Sequence, residues 1–165
     1  IFCDLEAFMR ILVFSDTHNN TSRAMRVINN IVGVDAVIHC GDVLADAYEL
    51  QENFPRMKFY CVSGNCDMNN TKYEELIEIG GKKIFVTHGH TYNVKSEEET
   101  EYPTIKERGK SLGADAVVFG HTHVPYNRNW GDIVVMNPGS IKYEGTYGVI
   151  EIENNVLKSA ICNIF

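Results

Sequence analysis

Asp35-Ala36-Val37-Ile38-His39-Cys40-Gly41-Asp42 is the stretch from which the rest of the chain can be read. Its apolar run, Ala36 to Ile38, reads as a buried strand, and Gly41 lets the backbone turn sharply so that the Asp42 carboxyl emerges at the strand's end. The same grammar recurs. Ile11 to Phe14 runs into Ser15-Asp16-Thr17-His18, Phe59 to Val62 into Ser63-Gly64-Asn65-Cys66-Asp67, and Ile84 to Val86 into Thr87-His88-Gly89-His90. Ala116 to Phe119 then runs into Gly120-His121-Thr122-His123, and Ile133 to Met136 into Asn137-Pro138-Gly139-Ser140. In open α/β sheets ligands bind beyond the carboxyl ends of the strands, so clusters spaced in this way converge in space. Their donors are oxygens and imidazoles with no Cys-x-x-Cys pair, which favours a catalytic dimetal centre over a structural zinc site.

Between the clusters, the apolar spacing of Ala24, Val27, Ile28, Ile31 and Val32 predicts a helix over Thr21–Val32, with caps offered by Asn19 to Thr21 and a stop at Gly33. Asp46 to Phe54 reads as a second, shorter helix ended by Pro55. Tyr73–Ile79 and Lys82–Thr87 flank Gly80-Gly81 as a hairpin. Pro103 opens a further helix ending near Gly113. The acidic run from Glu97 to Glu101 reads as a solvated loop, with a lid or dimer contact as the alternative. Val124–Tyr126 with Ile133–Met136, and Thr146–Ile152 with Val156–Ile161, read as late hairpins. Early βαβ units followed by a strand meander predict two mixed β-sheets packed together with helices outside.

At 165 residues the chain fits one domain, of a size that buries about 70% of the surface its unfolded form exposes. Five cysteines, an odd number with Cys40, Cys61 and Cys162 in or beside apolar runs, point to reduced thiols and a cytoplasmic protein. A net charge of −7 without a block of Lys or Arg argues against nucleic acid as partner and leaves small anionic substrates open, since metals add local positive charge. No apolar run approaches the roughly 20 residues that span a bilayer. Met9 stands directly before the first strand. Residues 1–8 are therefore expected to be an upstream or vector-derived leader, and residues 9–165 the single domain.

Taken in order, Asp16-x-His18, Gly41-Asp42, Gly64-Asn65-x-Asp67, His88-Gly89 and Gly120-His121-x-His123 resemble the motif series of the calcineurin-like metallophosphoesterases. The short chain, the Gly64-Asn65-Cys66-Asp67 variant and Asn137 to Ser140 make it similar to the small YfcE-like phosphodiesterases. The resemblance implies an αββα sandwich of two mixed β-sheets flanked by helices, the metallo-dependent phosphatase fold. It also implies two divalent metal ions, Mn2+ ahead of Ni2+, Zn2+ or Fe2+. Carried over residue by residue, it places Asp16, His18 and His123 on one metal, Asn65, His88 and His121 on the other, and Asp42 on both. His121 and His123 stand two apart, so a turn at Gly120 is needed to send them to different metals. The implied reaction is hydrolysis of a small phosphodiester by a metal-bridging hydroxide attacking phosphorus in line. A phosphomonoesterase fits the same motifs. The reading from another class is a non-catalytic scaffold like the small retromer subunit, which shares the fold and has lost residues at its metal site. A homo-oligomer is left open.

The chain departs from the family pattern at Cys66, where many members carry a histidine that stabilises or protonates the leaving group. A thiol of ordinary pKa, about 8.5, donates weakly at neutral pH and offers no imidazolium charge. Asp67, Cys66 and His90 are the candidate catalytic residues beyond the metal ligands, His90 standing either in the substrate cleft or at its rim. His39, in a strand and matching no ligand position, reads as a satisfied core histidine or a residue behind the ligands. Asn137 to Ser140 read as a turn that either borders the site or stands apart from it, and Trp130 as a hairpin-tip aromatic.

Overall fold

A computed structural model describes residues 8–68 and 72–164. The expected leader therefore falls, but for Phe8, outside the described residues. In chain order the strands are β1 (Met9–Phe14), β2 (Ala36–His39), β3 (Lys58–Cys61), β4 (Glu74–Ile79), β5 (Lys82–Thr87), β6 (Ala116–Val118), β7 (Tyr126–Asn129), β8 (Val134–Asn137), β9 (Thr146–Glu153) and β10 (Val156–Asn163). The helices are α1 (Ser22–Asn30), α2 (Leu44–Asn53), α3 (Val94–Glu97) and α4 (Pro103–Ser111). Among the described residues no helix is long and apolar enough to cross a membrane.

Two five-stranded mixed sheets form, in the orders β10-β9-β1-β2-β3 and β4-β5-β6-β8-β7. β1, β2 and β3 run parallel, as do β5, β6 and β8. The outer hairpins add antiparallel partners. Side-chain alternation then divides each central strand between two cores. In β1, Ile11 and Val13 point into the space between the sheets, where they meet Ile38, Ile84, Val86, Val118 and Met136. Leu12 and Phe14 point the other way, onto Ala24, Val27 and Ile28 of α1 and Leu50 of α2. Phe85, Val117 and Val135 of the second sheet pack outward against Ile105 of α4. The result is the expected four-layer αββα sandwich, and burial on both faces explains why its central strands read as continuous apolar runs.

The local differences have physical causes. α1 stops at Asn30 rather than Val32, because Ile31 takes an extended conformation and the Arg10 guanidinium binds the Val32 carbonyl at 2.6 Å. Thr21 occupies its N-cap without a side-chain cap bond. α2 begins at Leu44, ahead of the expected Asp46, where Asp67 Oδ1 accepts the otherwise orphaned Leu44 amide at 2.6 Å. The acidic segment is not a loop throughout. Glu97 closes α3, which buried Val94 anchors, and Glu98–Thr100 form a 3-10 turn; a further 3-10 turn over His90–Tyr92 precedes α3. Glu97 turns back to α4, accepting the Thr104 amide at 3.0 Å and the Thr104 hydroxyl, while Glu98 and Glu99 stay exposed. A carboxylate at a helix start satisfies free amides and faces the positive end of the dipole. Pro125, with no amide for the ladder, pushes β7 past the expected Val124–Tyr126.

Candidate metal centre

Every predicted ligand lies at or just beyond the carboxyl end of a strand: Asp16 and His18 after β1, Asp42 after β2, Asn65 after β3, His88 after β5, His121 and His123 after β6. Asp16 (φ 56), His18 (φ 44), Asp42 (φ 43), His121 (φ 70) and His123 (φ 63) all have left-handed backbone. Asp and His tolerate that region better than most residues, yet each such position costs about 1–3 kcal/mol and persists only where the surroundings enforce it. The enforcement is visible. Asp16 and Thr17 amides donate to the Gly41 and Asp42 carbonyls, each at 3.0 Å. Ser140 Oγ donates to the Asp16 carbonyl at 2.8 Å, and the Asn137 side-chain amide to the Gly120 carbonyl and Thr122 Oγ1, each at 2.9 Å. The Asn137 to Ser140 turn thus braces the site through its side chains.

A three-residue turn centred on His121, closed by the Thr122 amide on the Gly120 carbonyl at 2.8 Å, separates the two histidines. The His123 ring goes to His18, centroids 5.1 Å apart, and the His121 ring to His88, centroids 5.0 Å apart. The need for a turn at Gly120 is met there.

The donors gather into adjoining groups. Asp16 Oδ1 lies 3.1 Å from His123 Nε2 and 3.7 Å from His18 Nε2, and the two imidazole nitrogens are 3.2 Å apart. His88 Nε2 lies 3.4 Å from Asp42 Oδ2 and 3.0 Å from Asn65 Oδ1. Ligand atoms of Asp16, Asp42 and His88 fall within 4.8 Å of one another, which joins the groups. Donors bound to one divalent ion at about 2.0–2.2 Å sit roughly 3.0–3.5 Å apart, so these edges fit a cation between them. Among the described residues, buried Asp16 Oδ1 has no hydrogen-bond partner despite the His123 ring beside it. A lone carboxylate oxygen in a dry place is costly unless something such as a cation meets it. Bare backbone makes room: a Cβ on Gly64 would lie 2.0 Å from Asp42 Oδ1, and one on Gly120 would lie 1.9 Å from Ser15 Oγ and 2.7 Å from Asp16 Oδ2.

Tautomers follow from partners. His88 Nδ1 faces the Cys40 carbonyl at 2.7 Å, so it carries the proton and leaves Nε2 free as a donor atom. His39 is the reverse: the Gly41 amide donates to Nδ1 at 3.2 Å, so Nε2–H donates to Thr17 Oγ1 at 3.2 Å, and that hydroxyl donates to the Asp42 carbonyl at 3.3 Å. Burial pushes the His39 pKa down to about 4. It is a satisfied core histidine standing behind two ligand loops.

Burial works to raise the pKa of both site aspartates and is outweighed at each. The His123 ring, the charge of His88 and the Ser15 hydroxyl hold Asp16 low, and His88 with the Cys66 amide holds Asp42 low. His88 is raised: desolvation opposes its charge, but Asp42 and Asp16 prevail. Burial and the charge of His88 lower His121 to about 4.

The three non-ligand candidates differ in placement. Asp67 spends both oxygens on backbone amides, Leu44 at 2.6 Å and Gly64 at 2.7 Å. Exposed Cys66 lies with Sγ 3.6 Å from Asn65 Nδ2. Desolvation and then Asp42 push its thiol up to about 11, so it is neutral. The His90 ring lies 5.5 Å from His88 and 6.1 Å from His121, edge-on to Tyr73 at 5.4 Å. Its pKa is lowered by burial and by the charge of His88. Reading the sequence did not single out Ser15, Thr17, Lys142 or Tyr143. Lys142 Nζ donates to the His18 carbonyl at 2.8 Å, and the Tyr143 ring stacks on His123. Only their nearness to Asp16 and to Ser140 in the chain could have drawn attention to them.

Residues 9–155 match the profile of the calcineurin-like phosphoesterase superfamily domain. The chain is 33% identical over 155 residues to the probable metallophosphoesterase YsnB of Bacillus subtilis, covering 89% of this chain and 86% of that one. It is 30% identical over 151 residues to a phosphodiesterase of Methanocaldococcus jannaschii, covering 79% of this chain and 83% of the other. Among solved structures, a predicted phosphoesterase from Streptococcus pneumoniae superposes with a TM-score of 0.77 at 28% identity, covering 96% of this chain and 94% of that one. Vacuolar Protein Sorting 29 from Cryptosporidium parvum superposes with a TM-score of 0.71 at 15% identity, covering 94% and 97%, a likeness of fold alone.

Proposed function

The chain belongs to the calcineurin-like phosphoesterase superfamily, and on that premise we propose that it is a phosphodiesterase of small phosphoesters working with two divalent cations, Mn2+ foremost. The observation that carries this reading is the closely spaced donor set of Asp16, His18 and His123, joined through Asp42 to His88 and Asn65. Asp16, His18 and His123 would hold one cation, Asn65, His88 and His121 the other, and Asp42 both. Cations bound there would supply Lewis-acid polarisation of phosphoryl oxygens and would acidify a water for in-line attack. The chain's own part is positioning. The Cys40 carbonyl fixes the His88 ring, the Gly41 and Asp42 carbonyls fix the Asp16 loop, and Asn65 would add a neutral oxygen, which would leave a cation held there a stronger Lewis acid than a carboxylate would. On the side of Asn65, neutral Cys66 gives the leaving oxygen little help.

The scaffold reading draws on the likeness to Vacuolar Protein Sorting 29, which is one of fold. Every implied ligand position of this chain is filled, which favours chemistry. The test is elemental analysis of the purified protein with hydrolysis of bis(p-nitrophenyl) phosphate and of p-nitrophenyl phosphate. Two ions per chain are expected, with diester turnover exceeding monoester turnover, abolished by chelator and restored by Mn2+. Asp42→Asn should lower turnover and the occupancy of both sites further than Asp16→Asn or His123→Ala. Fewer than two ions at saturating metal, with no metal-dependent hydrolysis, would favour the scaffold. Faster monoester turnover would make it a phosphomonoesterase.

A further inference from the structure

Tyr143 is 57% exposed, yet it stands in a defined place. Its ring stacks on His123 with centroids 5.4 Å apart and planes 20° from parallel, and it leans on His18 at the same centroid distance. The turn that carries it is stitched to the ligand loop. The Tyr143 amide donates to Ser140 Oγ at 3.1 Å, Ser140 Oγ donates to the Asp16 carbonyl at 2.8 Å, Lys142 Nζ to the His18 carbonyl at 2.8 Å, and the Arg23 guanidinium to the Ile141 carbonyl at 3.2 Å. An aromatic side chain loses little freedom on contact, and one fixed beforehand loses less. A rigid, exposed ring at the edge of a polar site is therefore suited to gain a flat partner.

From this placement we propose that Tyr143 is a specificity-determining residue: a stacking platform for a flat heterocyclic substituent, such as a nucleoside base, on the ester group that the phosphodiester retains. The proposal rests on the phosphodiesterase reading above and takes the leaving group to depart away from Tyr143, whose ring adjoins His18 and His123, so that the retained group is the one within its reach. Stacking on an aromatic side chain tolerates any base, because every base has a π-face. The platform therefore selects for a ring without choosing among bases.

Two esters with one leaving group isolate the effect: thymidine 5′-(p-nitrophenyl phosphate) and methyl p-nitrophenyl phosphate, assayed with Mn2+ in wild type, Tyr143→Ser and Tyr143→Phe. The ratio of their kcat/KM values should fall about tenfold in Tyr143→Ser, mainly through KM, and should be kept in Tyr143→Phe. Calorimetric binding of thymidine 5′-monophosphate against methyl phosphate to the Mn2+-loaded proteins should give the same pattern. Equal losses on both esters, or a parallel fall in Mn2+ affinity, would overturn the proposal and make Tyr143 a residue that positions His18 and His123. A wild type inactive on both esters would refute the phosphodiesterase reading, and the calorimetric comparison would still decide whether Tyr143 prefers the nucleotide.

Discussion

His39→Gln should change the pH dependence of stability in a direction that its hydrogen bonds fix. In the folded protein Nδ1 already accepts the Gly41 amide and Nε2–H already serves Thr17, so a second ring proton would set two donors against each other. Burial holds the folded pKa down to about 4; the charges of Asp16, Asp46 and Asp67 favour a charged ring, while that of His88 opposes it. The unfolded value is about 6.5. Between the two, the unfolded chain binds a proton that the folded chain does not, so stability falls as pH drops from about 6.5 towards 4. This difference amounts to about 3 kcal/mol in full, of which about 2 kcal/mol accrues between pH 6.5 and 4.5. Glutamine reaches Thr17 from the Nε2 position, takes up no proton, and leaves the buried Gly41 amide without its acceptor, a cost of about 1–3 kcal/mol at every pH.

Urea unfolding of both proteins from pH 7.5 to 4.5, in chelator so that metal linkage adds no slope of its own, reads the difference. The variant should be the less stable at pH 7.5, and the gap should close by about 2 kcal/mol at pH 4.5. Other histidines titrate in both proteins and cancel in the comparison. Curves that stay parallel would refute the reasoning, because they would mean that the folded ring accepts a proton as readily as the unfolded one.

Substitutions at two further positions probe the site. Cys66→His should raise kcat/KM for an alkyl phosphodiester by up to about 10²-fold and for an aryl ester by less, because an alkoxide needs the proton more. Cys66→Ser, exchanging one neutral group for another, should change little; equal gains on both esters from Cys66→His would separate this position from leaving-group protonation. Gly120→Ala would drive a methyl group to within 1.9 Å of Ser15 Oγ and 2.7 Å of Asp16 Oδ2. It should weaken Mn2+ binding by at least about tenfold, through displacement of a ligand rather than loss of one. Unchanged Mn2+ affinity in a folded variant would show that Asp16 is less closely held than its contacts indicate.

The layers were legible because strands buried on both faces give apolar runs, and Ile11 to Phe14, Ala36 to Ile38 and Ile84 to Val86 read so without help from tertiary contacts. Boundaries failed where a distant group took over a local one. Arg10 binds Val32 beyond the end of α1, Asp67 receives the first amide of α2, and Glu97 draws an apparent loop into turns around α4. The types and order of the donor residues that come together were likewise in the sequence. The bracing was not, since Ser140 and Asp16 meet across 124 positions and no local pattern announces the contact. Tyr143 carried no signal beyond being an aromatic residue in a turn.

The left-handed residues explain how these polar clusters converge. An extended chain leaving a strand alternates its side chains between the two faces of the sheet, which would carry alternate donors away from any common point. A residue at φ near +60° breaks that alternation within one step. At His121 the break, with the three-residue turn across Gly120 to Thr122, sends neighbouring histidines to different partners, His88 and His18. At Asp16 and Asp42 it lets adjoining loops exchange amide and carbonyl bonds while both carboxylates stay within reach of the His88 ring. Each position is strained by about 1–3 kcal/mol on its own. The double-faced cores hold the strand ends still, and bonds from Asn137, Ser140 and Thr17 hold the loops between them. Rigidity of the sandwich is thus a condition for the site, and loosening a brace such as Asn137 acts on the donor side chains without touching them.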